Sequence, residues 1–440
     1  MDLTKGPIRK QLIYFSLPLI LTMVLQQSYS LVDTMIVANY CSMEAVSAIS
    51  TTSSIYSFLL ALVMGLGVGC SIMAGQAFGK KQDQYLTNVL LTLLLGGSLF
   101  AIVLSAICLL FAREFLIWIQ TPVEILDLST IILRLYAGGV IFHGISMIGS
   151  NLVNALGESK RTFYIFSTSG AMNIILDLVA VLWLDWGVIG TVVASLIAQF
   201  YSLVLIFWLL KKKMPRQVRP RFQWTIIQDT LSLSMTSMGQ NALSNGLAVI
   251  VQTVVNGFGV AYINGFSAGL LINSIFTIAI RGYCNGYATM LSQNFGAKKT
   301  ERIQEARRIS MHDGHYLCLG LALLSLLLGR HLTVLMLSDA SAISIRFGTQ
   351  YILMCIPTYF LILHTQRFSF LLKNLSHNKE TFIATMLTII IKIVTLYPLV
   401  MISIEYLALS EVISQGIALL YLTYCQHKVL NALSYNAQKA

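Results

Sequence analysis

The chain has 440 residues, 56% of them hydrophobic and only 11% charged, with a formal net charge of +11. A soluble domain devotes about 25% of its residues to charge, so this composition excludes an ordinary solvated globule. Apolar stretches of roughly 20 residues recur from end to end, each long enough to cross about 30 Å of hydrocarbon as a helix, and the short alternating strands of a membrane β-barrel are missing from the pattern.

An all-α membrane protein of twelve spans is predicted, at 11–37, 46–74, 86–112, 129–155, 162–184, 187–210, 226–255, 261–289, 313–337, 346–372, 381–402 and 405–426. Span 1 holds "QQSYSLVDTMIV" (26–37), where Gln26, Ser30 and Asp33 follow helical spacing and share one face. Asp33 falls about 33 Å along that helix. A charge in hydrocarbon costs several kcal/mol, so the face is expected to look into the bundle. Pro18, in the same span, removes an internal hydrogen bond and predicts a kink. Span 5 contains "NIILDLVAV", which puts Asn173 and Asp177 four apart on one face. Carboxylates from spans 1 and 5 in one cavity would make a proton or sodium site; the plainer reading is a hydrogen-bonded cluster that ties helices together. Spans 5 and 6 are separated by the short turn "LDWG" (184–187).

The basic stretch "KKKMPRQVRPRF" (211–222) divides the chain. It reads as a linker near anionic lipid heads, and no nucleic-acid partner is expected. The predicted organisation is an N-terminal lobe at 1–210, a linker at 211–225 and a C-terminal lobe at 226–440. Span 7 offers the neutral polar residues Asn241, Asn245, Gln252 and Asn256 as substrate contacts. Arg281, Arg367 and Lys392 are expected to snorkel. Glu411 is a weaker ionisable candidate, and His143 and His364 read as packing or hydrogen-bonding residues rather than ligands. The seven cysteines have no metal-ligand spacing, so no metal site is expected beyond sodium at Asp33, Asn173 and Asp177.

Loop charge sets an orientation. Twenty-two Lys and Arg fall on the termini and the even-to-odd loops, against Arg113, Arg330 and Arg346 on the others. Both termini are therefore expected in the cytoplasm. The chain also repeats itself. "MGLGVGCSIMAGQAFGKK" (64–81) returns as "RGYCNGYATMLSQNFGAKK" (281–299), and a shift of 217 pairs Gly65, Gly69, Gln76 and Gly79 with Gly282, Gly286, Gln293 and Gly296. A weaker echo relates "NALGESK" (154–160) to "KNLSHNK" (373–379). An even number of spans per half predicts a parallel repeat, as in transporters that alternate access. The ionisable groups do not repeat: the position 217 beyond Asp33 is Ile250.

With "GPIRKQLIYFSLPLILTMVLQQSYSLVDTMIVANY" (6–40), the Gly-rich pair, "NALGESK", "NIILDLVAVLWLDWGVIGTVVASLIAQ" (173–199) and "SQNFGAKK" (292–299), the chain resembles the multidrug and toxic compound extrusion (MATE) transporters. The resemblance implies two pseudo-two-fold-related lobes of six helices. It also implies export of organic, cationic or amphipathic compounds in exchange for protons or sodium, with no cofactor beyond the ion gradient. The acid in span 1 and the Asn-x-x-x-Asp pair in span 5 look like the first-lobe ion site of the DinF-like prokaryotic branch, which assigns ion coupling to Asp33, Asn173 and Asp177. Leu178, Asn154 and Ile141 depart from that pattern where Pro, Arg and Pro are usual. The expectation is a monomer in a prokaryotic cytoplasmic membrane, working on a small organic substrate among membrane lipids, and not an enzyme. A lipid-linked oligosaccharide or lipid flippase of the same wider fold group is the alternative; it would need a strongly cationic cavity.

Overall fold

A computed structural model describes residues 1–214, 218–337 and 341–439, and for 431–439 the backbone alone. Pro215, Arg216 and Gln217 of the predicted linker lie outside the described residues. The apolar runs fold as helices, with no strand among the described residues. In chain order these are α1 (Ile8–Tyr40), α2 (Met43–Gly79), α3 (Asp83–Leu110), α4 (Ala112–Trp118), α5 (Val123–Ala155), α6 (Ser159–Leu182) and α7 (Gly187–Lys213). Then come α8 (Trp224–Asn256), α9 (Val260–Gly296), α10 (Thr300–Met336), α11 (Ala342–Met354), α12 (Ile356–Asn374), α13 (Asn378–Ile402) and α14 (Leu407–Lys439).

Eleven helical segments among the described residues are long and apolar enough to cross a membrane, with α11 and α12 together counting as one. The chain is a multi-pass membrane protein. The helix α8 is also 33 residues long but stands outside that set. Its polar residues, Gln240, Asn241, Ser244 and Asn245 among them, dilute it. Span 10 is predicted as one run, whereas the structure divides it at Cys355, because Pro357 at the start of α12 has no N–H to continue the ladder. Pro18 lies inside α1, which runs on through it to Tyr40. The turn between α6 and α7 closes with Asp185 and Gly187 both in the left-handed region, at φ 52° and 53°.

Two compact units emerge. The first comprises residues 1–4, 21–241 and 292–299; the second comprises 5–20, 242–291 and 300–440. In the first, α2, α3, α5 and α7 pack around Val63, Leu90, Ile148, Leu152 and Ile206. In the second, α13 and α14 close on a core containing Phe266, Phe347, Tyr351, Leu396 and Leu407.

The sequence repeat is a structural repeat. Both α2 and α9 are 37 residues long, and Lys81 and Lys298, 217 apart, end their turns at the same φ of 55°. The recurring glycines mark close helix crossings within each unit. A Cβ on Gly69 would stand 2.0 Å from Ser234 Oγ, and one on Gly286 would stand 1.9 Å from Ser16 Oγ. Without side chains, the two backbones approach as only glycine permits. The weaker echo also has a structural counterpart: Ser376 adopts φ 64° where Gly157 has φ 85°.

Candidate functional site

In the first unit, α1 carries Asp33 and α6 carries Asn173 and Asp177. Their approach is set by Gly170, one turn before Asn173, which faces the Tyr29 ring so closely that a Cβ would lie 2.5 Å from two ring carbons. Asp177 is fully buried and Asn173 is 8% exposed. The Asn173 amide donates to Ser195 Oγ of α7 at 3.2 Å, which leaves its carbonyl oxygen as an acceptor. The carboxyl groups of Asp33 and Asp177 lie within interaction range of each other. Both Asp177 oxygens and Asp33 Oδ1 are buried, and no described group donates a hydrogen bond to them. Ionised carboxylates are acceptors only, and unpaired buried charge is costly. Left ionised, the pair would need a proton or a cation to satisfy it.

Sequence reasoning missed the aromatic wall around this pair. Tyr136 of α5 is within electrostatic range of both aspartates. It stacks on Tyr56 of α2, with ring centroids 4.7 Å apart. The Tyr56 hydroxyl meets His143 Nδ1 at 3.1 Å and accepts from the Gln199 amide at 3.2 Å. His143 is thus a hydrogen-bonding residue, as expected. No spacing rule links α2, α5 and α7, so only the fold reveals this chain of contacts.

The remaining candidates are dispersed. Gln26 is half-buried beside Tyr29, and Ser30 is exposed. The Asn241 amide is tied to the Ala61 carbonyl at 3.2 Å. Gln252 donates to Asn256 at 2.8 Å, and Asn245 is exposed. Arg367 does not snorkel: it is 4% exposed, lies over the Tyr287 ring and donates to Ser310 Oγ at 3.1 Å and to the Arg307 carbonyl. Lys392 and Glu411 form an ion pair with each other. His364 meets His315, nitrogen to nitrogen, at 3.1 Å. The departures from the family pattern have simple consequences. Asn154 accepts the Thr162 hydroxyl at 2.7 Å, bridging α5 to α6, and with Leu178 in place of Pro, α6 runs unbroken to Leu182. Ile141 is half-buried in α5. Among the described residues, no cluster of three or more His, Cys, Asp or Glu could hold a metal.

Residues 18–179 and 237–397 each match the MatE family, one copy in each half of the chain. The chain belongs to the MatE family of MATE transporters. It is 24% identical over 357 residues to the probable multidrug resistance protein YpnP of Bacillus subtilis, covering 80% of this chain and 79% of that one. It is 26% identical over 322 residues to the probable multidrug resistance protein YoeA of the same organism, covering 70% and 69%. A MATE family multidrug resistance transporter solved in an outward-facing conformation superposes with a TM-score of 0.91 at 17% identity, covering 98% of both chains. That likeness establishes the fold. The MATE repeat gives the match in two copies its physical meaning: α2 and α9, α3 and α10, and α6 and α13 are the same elements used twice.

Proposed function

We propose that this MATE protein is a twelve-span secondary antiporter with both termini in the cytoplasm. It exports organic cationic or amphipathic compounds across a prokaryotic cytoplasmic membrane in exchange for protons, by alternating access of its two six-helix lobes. The observation that carries this reading is the Asp33–Asp177 pair, whose buried oxygens have no donor. One proton held between the two carboxyl groups turns an acceptor into a donor and satisfies both. Its loss leaves two like charges in a region of low dielectric, and these push α1 away from α6. Asn173, anchored to Ser195, holds the α6 side of the site in place. Sodium is the other ion these oxygens suit. The names of the Bacillus relatives support drug export. No observation favours the oligosaccharide flippase.

The test is transport of rhodamine 123 by the purified chain in proteoliposomes, with proton and sodium gradients imposed separately. Proton-driven export is expected, and D33N and D177N should abolish it while inserting normally. Movement driven by sodium alone would replace the proton in this reading. Undiminished proton-driven export by the double variant would remove the pair from the mechanism.

A further inference from the structure

The second unit carries its own charged cluster, and the repeat says where it comes from. Ser159 and Asn378 open α6 and α13, and Gly157 and Ser376 turn the chain just before them; both pairs are 219 apart. The same shift carries Asn173 onto Lys392 and Asp177 onto Leu396. A lysine therefore occupies the second-unit counterpart of an ion-site position, and the carboxylate is lost there. A third change accompanies these: Arg281 of α9 stands where the shift of 217 would bring Met64.

The contacts of the cluster are lopsided. Lys392 pairs with Glu411 Oε2, and the Gln415 amide donates to Glu411 Oε1 at 3.1 Å. Both carboxylate oxygens are thus engaged. Arg281 lies within electrostatic range of Glu411 but, among the described residues, makes no hydrogen bond or ion pair of its own. Its side chain is accessible, on a membrane-spanning helix where Asn273, Thr277, Arg281, Asn285 and Thr289 recur every fourth residue as one polar stripe. Along the same helix, about 12 Å before Arg281, Asn273 Oδ1 is buried without a donor among the described residues. Two cations share one carboxylate that is already satisfied. A guanidinium with five donors and no acceptor is the group best shaped to take an oxyanion in two parallel bonds.

Resting on the exporter reading, we propose that the second unit holds an oxyanion subsite. Arg281 receives the carboxylate or phosphate of a small organic substrate, and Lys392 serves as a second cation that such an anion competes for with Glu411.

Rhodamine 110 has a free carboxylate, and rhodamine 123 is its methyl ester, so the pair isolates the charge in question. Equilibrium binding to the purified full chain, followed by fluorescence anisotropy in neutral detergent, needs no gradient and is independent of coupling at Asp33 and Asp177. The parent should bind both dyes. R281Q should weaken rhodamine 110 about 10-fold, the size of one charge-assisted hydrogen bond, and leave rhodamine 123 within about 2-fold. R281K keeps the charge but loses the planar fork, and should also weaken rhodamine 110 selectively; it carries the test if R281Q does not purify as a monodisperse species. A parent that does not bind rhodamine 110 overturns the inference, and its binding of rhodamine 123 then judges the exporter reading separately. Equal effects on the two dyes, or none on either, also overturn it. Displacement of rhodamine 110 by added phosphatidylglycerol from the parent and not from R281Q would give the guanidinium to a lipid phosphate, and the substrate assignment would fall.

Discussion

Gly170→Ala tests whether the distance between α1 and α6 sets ion coupling. The new Cβ would stand 2.5 Å from Tyr29 Cδ1 and Cε1. Apolar carbons rest about 3.5–4.0 Å apart, so the ring, or α1 with it, must retreat by about 1 Å. Overpacking of this size costs about 1–3 kcal/mol, which a protein of this size survives as a folded species. The larger effect falls on geometry, because Asp33 lies one turn beyond Tyr29 on α1 and Asp177 two turns beyond Gly170 on α6. A misplacement of about 1 Å between groups that must act together can cost about 100-fold in rate. Proton-driven rhodamine 123 export by G170A in proteoliposomes should drop by about 10- to 100-fold at equal protein. Gly138→Ala, on α5 with nothing within 4 Å of its Cβ, should export like the parent. Tyr29→Ala in the G170A background removes the obstructing ring and should recover part of the rate. Parental export by G170A, or a double variant no better than G170A, would refute the reasoning.

Glu158, in the turn between α5 and α6, is pushed up by partial burial, but its hydrogen bond and charge contact with Lys213, with Arg161 adding, hold its carboxyl below the usual glutamate value. A depressed folded value contributes stability above the unfolded one and loses it as pH falls, so thermal melts below about pH 4.3 should converge for the parent and E158Q while differing at pH 7. Ser376→Gly relieves a left-handed residue and should raise the melting point by the equivalent of about 1 kcal/mol; an unchanged melt would mean the turn relaxes without cost. Lys392 and Glu411 are 16% and 25% exposed in their side chains. Removing Glu411 alone should cost about 3 kcal/mol, because it strands the Lys392 charge, and K392M/E411Q should melt above E411Q, because it removes that stranded charge.

The backbone was far more legible than the chemistry. Apolar run length located the helices, and the Gly-rich repeat located the crossings, because a missing Cβ at Gly69 or Gly286 has one geometric use inside a packed bundle. Asp33, Asn173 and Asp177 were legible for an energetic reason: a charge in a 20-residue apolar run needs a partner, and the four-residue spacing on α6 sets Asn173 and Asp177 on one face. The break at Cys355 was not, since apolar run length carries span 346–372 straight through Pro357. Tyr56, Tyr136 and Gln199 were invisible because their contacts join helices far apart in sequence. Nor did the sequence show the local partners of the neutral span 7 candidates: Asn241 is tied to a backbone carbonyl, and Gln252 donates to Asn256.

The two halves keep one set of packing rules and abandon one set of charges. Packing constrains both copies alike, because Gly69 against Ser234 and Gly286 against Ser16 solve the same crossing with the same pair of residues. Charge is not so constrained, since an ion site needs only one lobe. On the proposed reading Asp33 and Asp177 hold the proton in the first unit; a second carboxylate pair would then add an unneeded burial cost, and its absence leaves the equivalent place in the second unit free for other use. Lys392, Glu411 and Arg281 occupy it with an excess of positive charge. A transporter that couples at one repeat and recognises at the other can tune its substrate range by substitutions at Arg281 or Lys392 without disturbing the proton site, which is why the dye-binding and gradient experiments should respond to different residues.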